Sequence, residues 1–275
     1  MVGKEQTMKV LTHEDLRAKC PAIFQETPDK KVSDKYGVVR SIDVIEQVQA
    51  QGWNPINCWG GGLDAQGMHY VTLVNEALKL GNGMSMTMTF VNSLDRTAKA
   101  RFLKGAYRPV CSNSLVMNPK NIGQIENSKK KNGFGFVHLI HNVTHIPQVL
   151  GEYMESLEAT QAQIETQSRI EWSNTKTYDF AKMASALRGS SEGVDLGSLL
   201  VAIRPEDEGN QALRVFNRVQ EKILGGGYTK TIMTKGKGDA LVPYQMPMKG
   251  IENARRRLDI NMKLWGLYES FTEAQ

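Results

Sequence analysis

The sequence predicts an α+β fold: an antiparallel sheet of about four strands with long helices packed on one face, and a helix-rich C-terminal half. Three observations carry that prediction. From Met68 onward apolar and polar residues alternate over short runs, the period of a half-buried strand. Near Thr144 the apolar period lengthens to that of a helix. The connections between the strand-like runs are also too short for the crossover helices of a parallel sheet. Strands first and helices afterwards is the α+β order, and 275 residues suffice for one large domain or two small ones. The expected organisation is an N-terminal arm over 1–35, a sheet-plus-helix core over 36–200, and a helical region over 201–275 packed on the core and carrying a basic Gly/Lys loop.

The arm is polar and broken by Pro21 and Pro28, which suggests a short helix and an extended segment. In "SIDVIEQVQAQG", Ser41 is placed to cap a helix, Ile42, Ile45 and Val48 share a face, and Gly52 supplies the stop. "GWNPINCWGGG" reads as a loop, its Trp53 and Trp59 either stacking platforms or lids over a sheet edge. "MHYVTLV" and "GMSMTMTFVNS" are adjoining strands. In the second, Met84, Met86, Met88 and Phe90 form an apolar face, and Ser85, Thr87 and Thr89 a hydroxyl face that water or a phosphate backbone would touch. "AYRPVCSNSLVM" continues as strand and turn, and "FGFVHLIHNV" follows the basic turn "SKKKNG". Helices are then expected at "HIPQVLGEYMESLEATQAQI", "TKTYDFAKMASALRG", "RPEDEGNQALRVFNRVQEKILGGG" and "GIENARRRLDINMKLWGLYESF". Gly225 to Gly250 shows no clear period and reads as a loop.

Lys and Arg outnumber Asp and Glu by 34 to 29, for a net charge of +5, which excludes a DNA mimic. Three cysteines without CxxC spacing fit a reducing cytoplasm. The first twenty residues lack the apolar core of a signal peptide, and no run has the length of a membrane span, so no membrane partner is expected. His138, His141 and His145 invite a metal, yet residues three apart on a strand face opposite ways, and a structural role is favoured. Cys111 is a nucleophile only with a base in reach, and reads more simply as a small core residue. "TKGKGD" fails the phosphate-loop pattern, because Gly236–Lys237 is followed by Gly238. Asp95, Glu206, Asp207 and Glu221 would have to gather to hold magnesium. No cofactor and no catalytic residue is assigned.

Charge is concentrated in Arg96, Lys99, Arg101, Lys104 and Arg108, in Lys129, Lys130 and Lys131, and in Lys230, Lys235 and Lys237. Arg101, Lys104 and Arg108 are expected on one rim of a strand. A basic rim beside a hydroxyl face is how sequence-tolerant single-strand binders are built.

Five segments occur in order: "KYGVVRSIDVIEQVQAQGWNP", "LVNEA", "VNSLDRTAKARFLKGAYRPVCSNSLVM", "VFNRVQEKILGGG" and "RRLDINMKLWGLYE". Together, over roughly Lys35 to Phe271, they resemble a family of phage/plasmid-like proteins catalogued as a domain of unknown function and found on phages, prophages and plasmids. Such proteins commonly carry a Ser-His-Asp-Gly-like run where this chain has Ser93-Leu94-Asp95-Arg96. A looser, architectural likeness is to the Rad52-like phage single-strand annealing proteins. These likenesses imply a cytoplasmic phage or plasmid protein that binds single-stranded DNA, promotes annealing without nucleotide hydrolysis, and works as a homo-oligomer. The basic residues would then hold phosphates. The alternatives are a metal-dependent nuclease, and an anti-defence protein that binds a host or phage protein and not DNA.

Overall fold

The run from Met84 to Phe90 that alternates in the sequence is the centre of the first sheet. In the computed structural model, which describes residues 9–32, 38–60, 67–81, 83–108, 115–117, 138–139, 143–235 and 240–273, the chain forms two units, Met1–Ile164 and Glu165–Gln275. The fold is α+β, as expected.

In the first unit, α1 (His13–Lys19) is opened by Thr12. Its hydroxyl accepts from the Asp15 N–H while the Asp15 carboxylate accepts from the Thr12 N–H, so two orphan donors are satisfied reciprocally. Helix α2 (Ser41–Gln49) buries Ile42, Val44, Ile45 and Val48. Ser41 does not cap it: Arg40 occupies the cap position, and the Ser41 hydroxyl is used elsewhere.

The sheet runs β1 (Asn54–Gly60), β2 (His69–Gly81), β3 (Met84–Asn92), β4 (Arg101–Tyr107), β5 (Leu115–Val116), all antiparallel, and β6 (His138–Leu139) pairs with β4 beside β5. Strand β1 was expected to be a loop. It is an edge strand, the position where a sheet tolerates proline, and its register slips between Pro55 and Asn57. Trp53 is buried, edge-on to Tyr153 at 5.8 Å, so the lid reading holds for it. Phe90 and Phe102 pack with centroids 5.2 Å apart on the apolar face of β3 and β4. Helix α3 (Ile146–Glu155) turns Ile146, Val149 and Tyr153 inward, and α4 (Leu157–Ser168) follows. The division between units falls within α4, so α5, assigned above to the core, belongs to the second unit.

That second unit is built on α5 (Asn174–Ala186), α6 (Leu196–Leu200), α7 (Ala212–Gly225) and α8 (Ala254–Glu273). Ser173 caps α5, and Asp195 caps α6. Their shared core is aromatic: Trp172, Phe180, Phe216, Trp265 and Tyr268 are buried with ring centroids 4.9–6.4 Å apart. Each such side chain contributes about 2–3 kcal/mol by leaving water.

The stretch expected to be an aperiodic loop is a two-stranded antiparallel ribbon, β7 (Gly226–Lys235) and β8 (Leu241–Lys249). The glycines therefore do more than stop α7. At Gly226 φ is +85°, and a Cβ there would lie 2.5 Å from the Met248 carbonyl oxygen, so only glycine lets the chain pass from helix into ribbon. Among the described residues no helix is long and apolar enough to cross a membrane.

Candidate nucleic-acid interface

The hydroxyl face of β3 is not available to a phosphate backbone. Strand β3 lies between β2 and β4, and its second face is covered as fully as its first: Ser85, Thr87 and Thr89 are all buried. Their polar atoms are served mostly from inside the sheet. Thr72 and Thr89 hydroxyls lie 3.3 Å apart, and Lys79 Nζ donates to Ser85 Oγ at 3.3 Å. Thr87 Oγ1 has no partner among the described residues. Opposite it sits Gly105, where a Cβ would come within 2.1 Å of the Leu115 carbonyl oxygen and 2.7 Å of Thr87 Oγ1.

The basic segment is divided by the pleat. Arg101 and Lys104 are three residues apart on β4 and therefore point to opposite faces. Lys104 shares the apolar face with Met88 and Phe102. It is buried, and its ammonium donates to Ser156 Oγ at 3.0 Å. Burial pushes its pKa down to about 8, because the charged form loses hydration. Arg101 stands at the start of the strand and Arg108 just past its end, about 23 Å away along an extended chain. The expected single rim of Arg101, Lys104 and Arg108 is therefore corrected: the three share no face, and Lys104 is withdrawn from solvent.

Arg96 and Lys99 are exposed on the connection before β4. That connection is held by its own polar groups. Asp95 accepts from the Thr97 N–H at 2.9 Å and from the Thr97 hydroxyl at 2.5 Å, and Ser93 Oγ bridges the Ala98 N–H and carbonyl. Burial works to raise the Asp95 pKa, but the hydrogen bonds from Thr97 and Ser93 and from its own backbone together outweigh it and hold the carboxyl below its ordinary range. Arg96 has φ +66°, a region where glycine is at ease, and the resembled family's run places glycine at this position. The turn so fixed aims Arg96 outward.

A polar cluster that the sequence reading missed lies at the same end of the sheet, next to this connection. Asn92 Nδ2 donates to Ser41 Oγ at 2.9 Å and to the Val39 carbonyl at 2.7 Å; Ser41 Oγ and His69 Nε2 lie 2.7 Å apart; His69 Nδ1 faces the Gly67 carbonyl at 3.2 Å. The Gly67 carbonyl can only accept, so Nδ1 carries the ring proton and donates to it, and the Ser41 hydroxyl donates a hydrogen bond to Nε2. Burial drives the His69 pKa down to about 4, in agreement with a neutral ring. Ser41, His69 and Asn92 are all buried, so the cluster fastens the start of α2 to the β2–β3 pair. The signal was present as polar residues at strand ends, but it takes the register to bring positions 41, 69 and 92 together.

Of the acids considered for magnesium, Asp95 is held by Thr97, and Asp207 and Glu221 are bound by one arginine. Arg204 binds Glu221 through both nitrogens at 2.6 and 2.8 Å and reaches Asp207 at 3.4 Å. Among the described residues no group of three His, Cys, Asp or Glu is arranged to hold a metal. Lys129, Lys130, Lys131, Lys237, Cys111 and His141 lie outside the described residues.

The ribbon presents cations openly. Within β7 and β8 every charged residue is a lysine: Lys230, Lys235 and Lys249. Met233, Leu241, Val242 and Tyr244 are exposed beside them. At its base Arg188 lies 6.0 Å from the Tyr228 ring and donates to the Ile223 carbonyl, and Arg256 Nη2 donates to the Arg188 carbonyl. Lys230 Nζ lies 3.4 Å from the Ser190 carbonyl oxygen. Cations thus collect along the ribbon and around the segment it leaves from.

The chain belongs to the family described as Domain of unknown function (DUF932), which matches residues 30–241. It is 22% identical over 270 residues to the UPF0380 protein YafZ of Escherichia coli (strain K12), covering 94% of this chain and 91% of that one. It is 23% identical to the UPF0380 protein YfjQ of the same strain over the same shares. No solved structure matches the chain.

Proposed function

We propose that the protein binds single-stranded DNA and promotes the annealing of complementary strands, without nucleotide hydrolysis. The observation that carries this reading is the ribbon of β7 and β8, whose charged residues are all lysines standing beside exposed apolar side chains. Arg96 and Lys99, held outward by the Asp95–Thr97 turn, add a second cationic point on the first unit. Annealing is downhill once strands meet, because each base-pair step stacks with about 1.4 kcal/mol. What opposes it is phosphate repulsion, and lysines that replace condensed counterions reduce that opposition. In this reading the protein acts in the cytoplasm of a bacterial host, is encoded by a phage or plasmid, and works as a homo-oligomer along the strand.

The test is direct. Purified protein should retard a labelled single strand more strongly than the corresponding duplex, and should speed duplex formation from two complementary strands with neither ATP nor divalent cation present. Equal rates with and without protein would remove the annealing function. Divalent-dependent cleavage of the strand would favour a nuclease.

A further inference from the structure

We infer that Tyr244 is a stacking platform for an unpaired base, with Lys230 taking the adjoining phosphate; this rests on the single-strand reading above. Of the ribbon's two tyrosines, Tyr228 is buried at its base. Tyr244 is 52% exposed and has no ring or hydrogen-bond partner among the described residues. A tyrosine held half in water on a rigid strand is a large flat surface already in place, so a base settling on it orders few new side-chain torsions.

The register brings charge to the same surface. Tyr244 pairs with Ile232, and Lys230 pairs with Met246, so Lys230 and Tyr244 lie on one face as diagonal neighbours about 7–8 Å apart. The Lys230 ammonium touches the Ser190 carbonyl at 3.4 Å, which leaves donors for a phosphate. One ribbon face therefore offers an aromatic plane and a cation side by side, the two contacts a nucleotide needs when its base is unpaired. A duplex keeps its bases stacked on each other and would use only the cation.

The charge on the ribbon chooses the occupant. A second copy docking through the same ribbon would bring three more lysines against these, since β7 and β8 carry no acid. Strand addition is also poorly served, because β8 is an edge strand in which Pro243 and Pro247 lack the N–H donor. A polyanion with flat apolar groups fits both properties.

The experiment compares wild type, Tyr244→Ala and Tyr244→Phe on two probes of equal length, oligo-dT and an abasic deoxyribose-phosphate chain. Salt titrations and sedimentation velocity accompany the binding curves. Tyr244→Ala is expected to weaken oligo-dT binding about tenfold with an unchanged salt slope, to leave abasic binding within twofold, and to melt as wild type does. Tyr244→Phe should stay within twofold on both probes. Equal loss on both probes, no loss on either, or lost self-association with oligo-dT binding intact would overturn the stacking role. If wild type binds oligo-dT and Tyr244→Ala binds it equally, stacking fails and the single-strand reading stands. If wild type binds neither probe, both fail.

Discussion

Strand β3 and strand β7 both mix threonine with apolar residues, in strict alternation in the first and without a clear period in the second, and they end in opposite environments. In "MSMTMTF" every side chain is buried, threonines included. In "TKTIMTK" and "LVPYQMPMK" most are exposed or half-exposed. The alternation sets only which residues share a face; how many neighbouring layers a strand has decides whether a face is wet. Strand β3 has a partner on each edge and cover on both sides, whereas the ribbon has two strands and, on the outer edge of β7, only a short antiparallel bridge from Val194 to Lys230. Lysine follows the same division. Lys104 on the sheet is withdrawn against Ser156, and Lys235 on the ribbon is exposed.

Matched substitutions at Thr89 and Thr231 give the largest contrast. Thr89→Asp puts a carboxylate without a partner between β2 and β4 and should cost about 4 kcal/mol or more, a large share of a domain's stability, read as a strongly lowered midpoint in a thermal or urea melt. Thr231→Asp, on an exposed ribbon position, should cost less than about 1 kcal/mol. Similar losses at both sites would mean the ribbon is covered as the sheet is.

The lysine contrast is smaller and depends on pH. Lys104 has a folded pKa of about 8 against an ordinary 10.5, so its charged form is penalised by folding. Below pH 8 both states hold the proton and the penalty is complete. Between pH 8 and 10.5 the folded state releases its proton first, and the penalty fades as pH rises. Lys104→Met, facing Met88, should therefore stabilise the protein by about 2 kcal/mol at pH 7, with the advantage over wild type lost by about pH 10.5. A denaturation midpoint lowered by the substitution at pH 7 would show that the Ser156 hydrogen bond outweighs desolvation.

Much of the first unit was legible from period alone: the start of β2, the span of β3 and their antiparallel sense were located, whereas β2 runs on to Gly81, past the expected "MHYVTLV". Strand β1 was hidden by Pro55 and by the glycines after it, signs of a loop that an edge strand also tolerates. The ribbon was hidden by Gly225, Gly226 and Gly227 and by the two prolines of β8, although Ile232 and Tyr244 face one another across it. Of the interface, sequence supplied the cations but not their placement. Arg101 and Lys104 look like one patch in a string of letters, and the pleat sends them to opposite sides. Arg96 and Lys230 remained usable because a turn and a ribbon present them. The Ser41–His69–Asn92 cluster, assembled from three distant segments, left no local pattern to find.

The ribbon as the surface that holds a single strand is tested most directly by the salt dependence of oligo-dT binding in wild type and Lys230→Ala/Lys235→Ala. Each phosphate neutralised contributes about −0.7 to the slope of log K against log salt, so the double variant should bind more weakly at low salt with a slope shallower by about 1.4. The loss should be the same for oligo-dA, because phosphate contacts position a strand without reading it. A double variant that folds as wild type does and binds with unchanged affinity and slope would contradict the assignment.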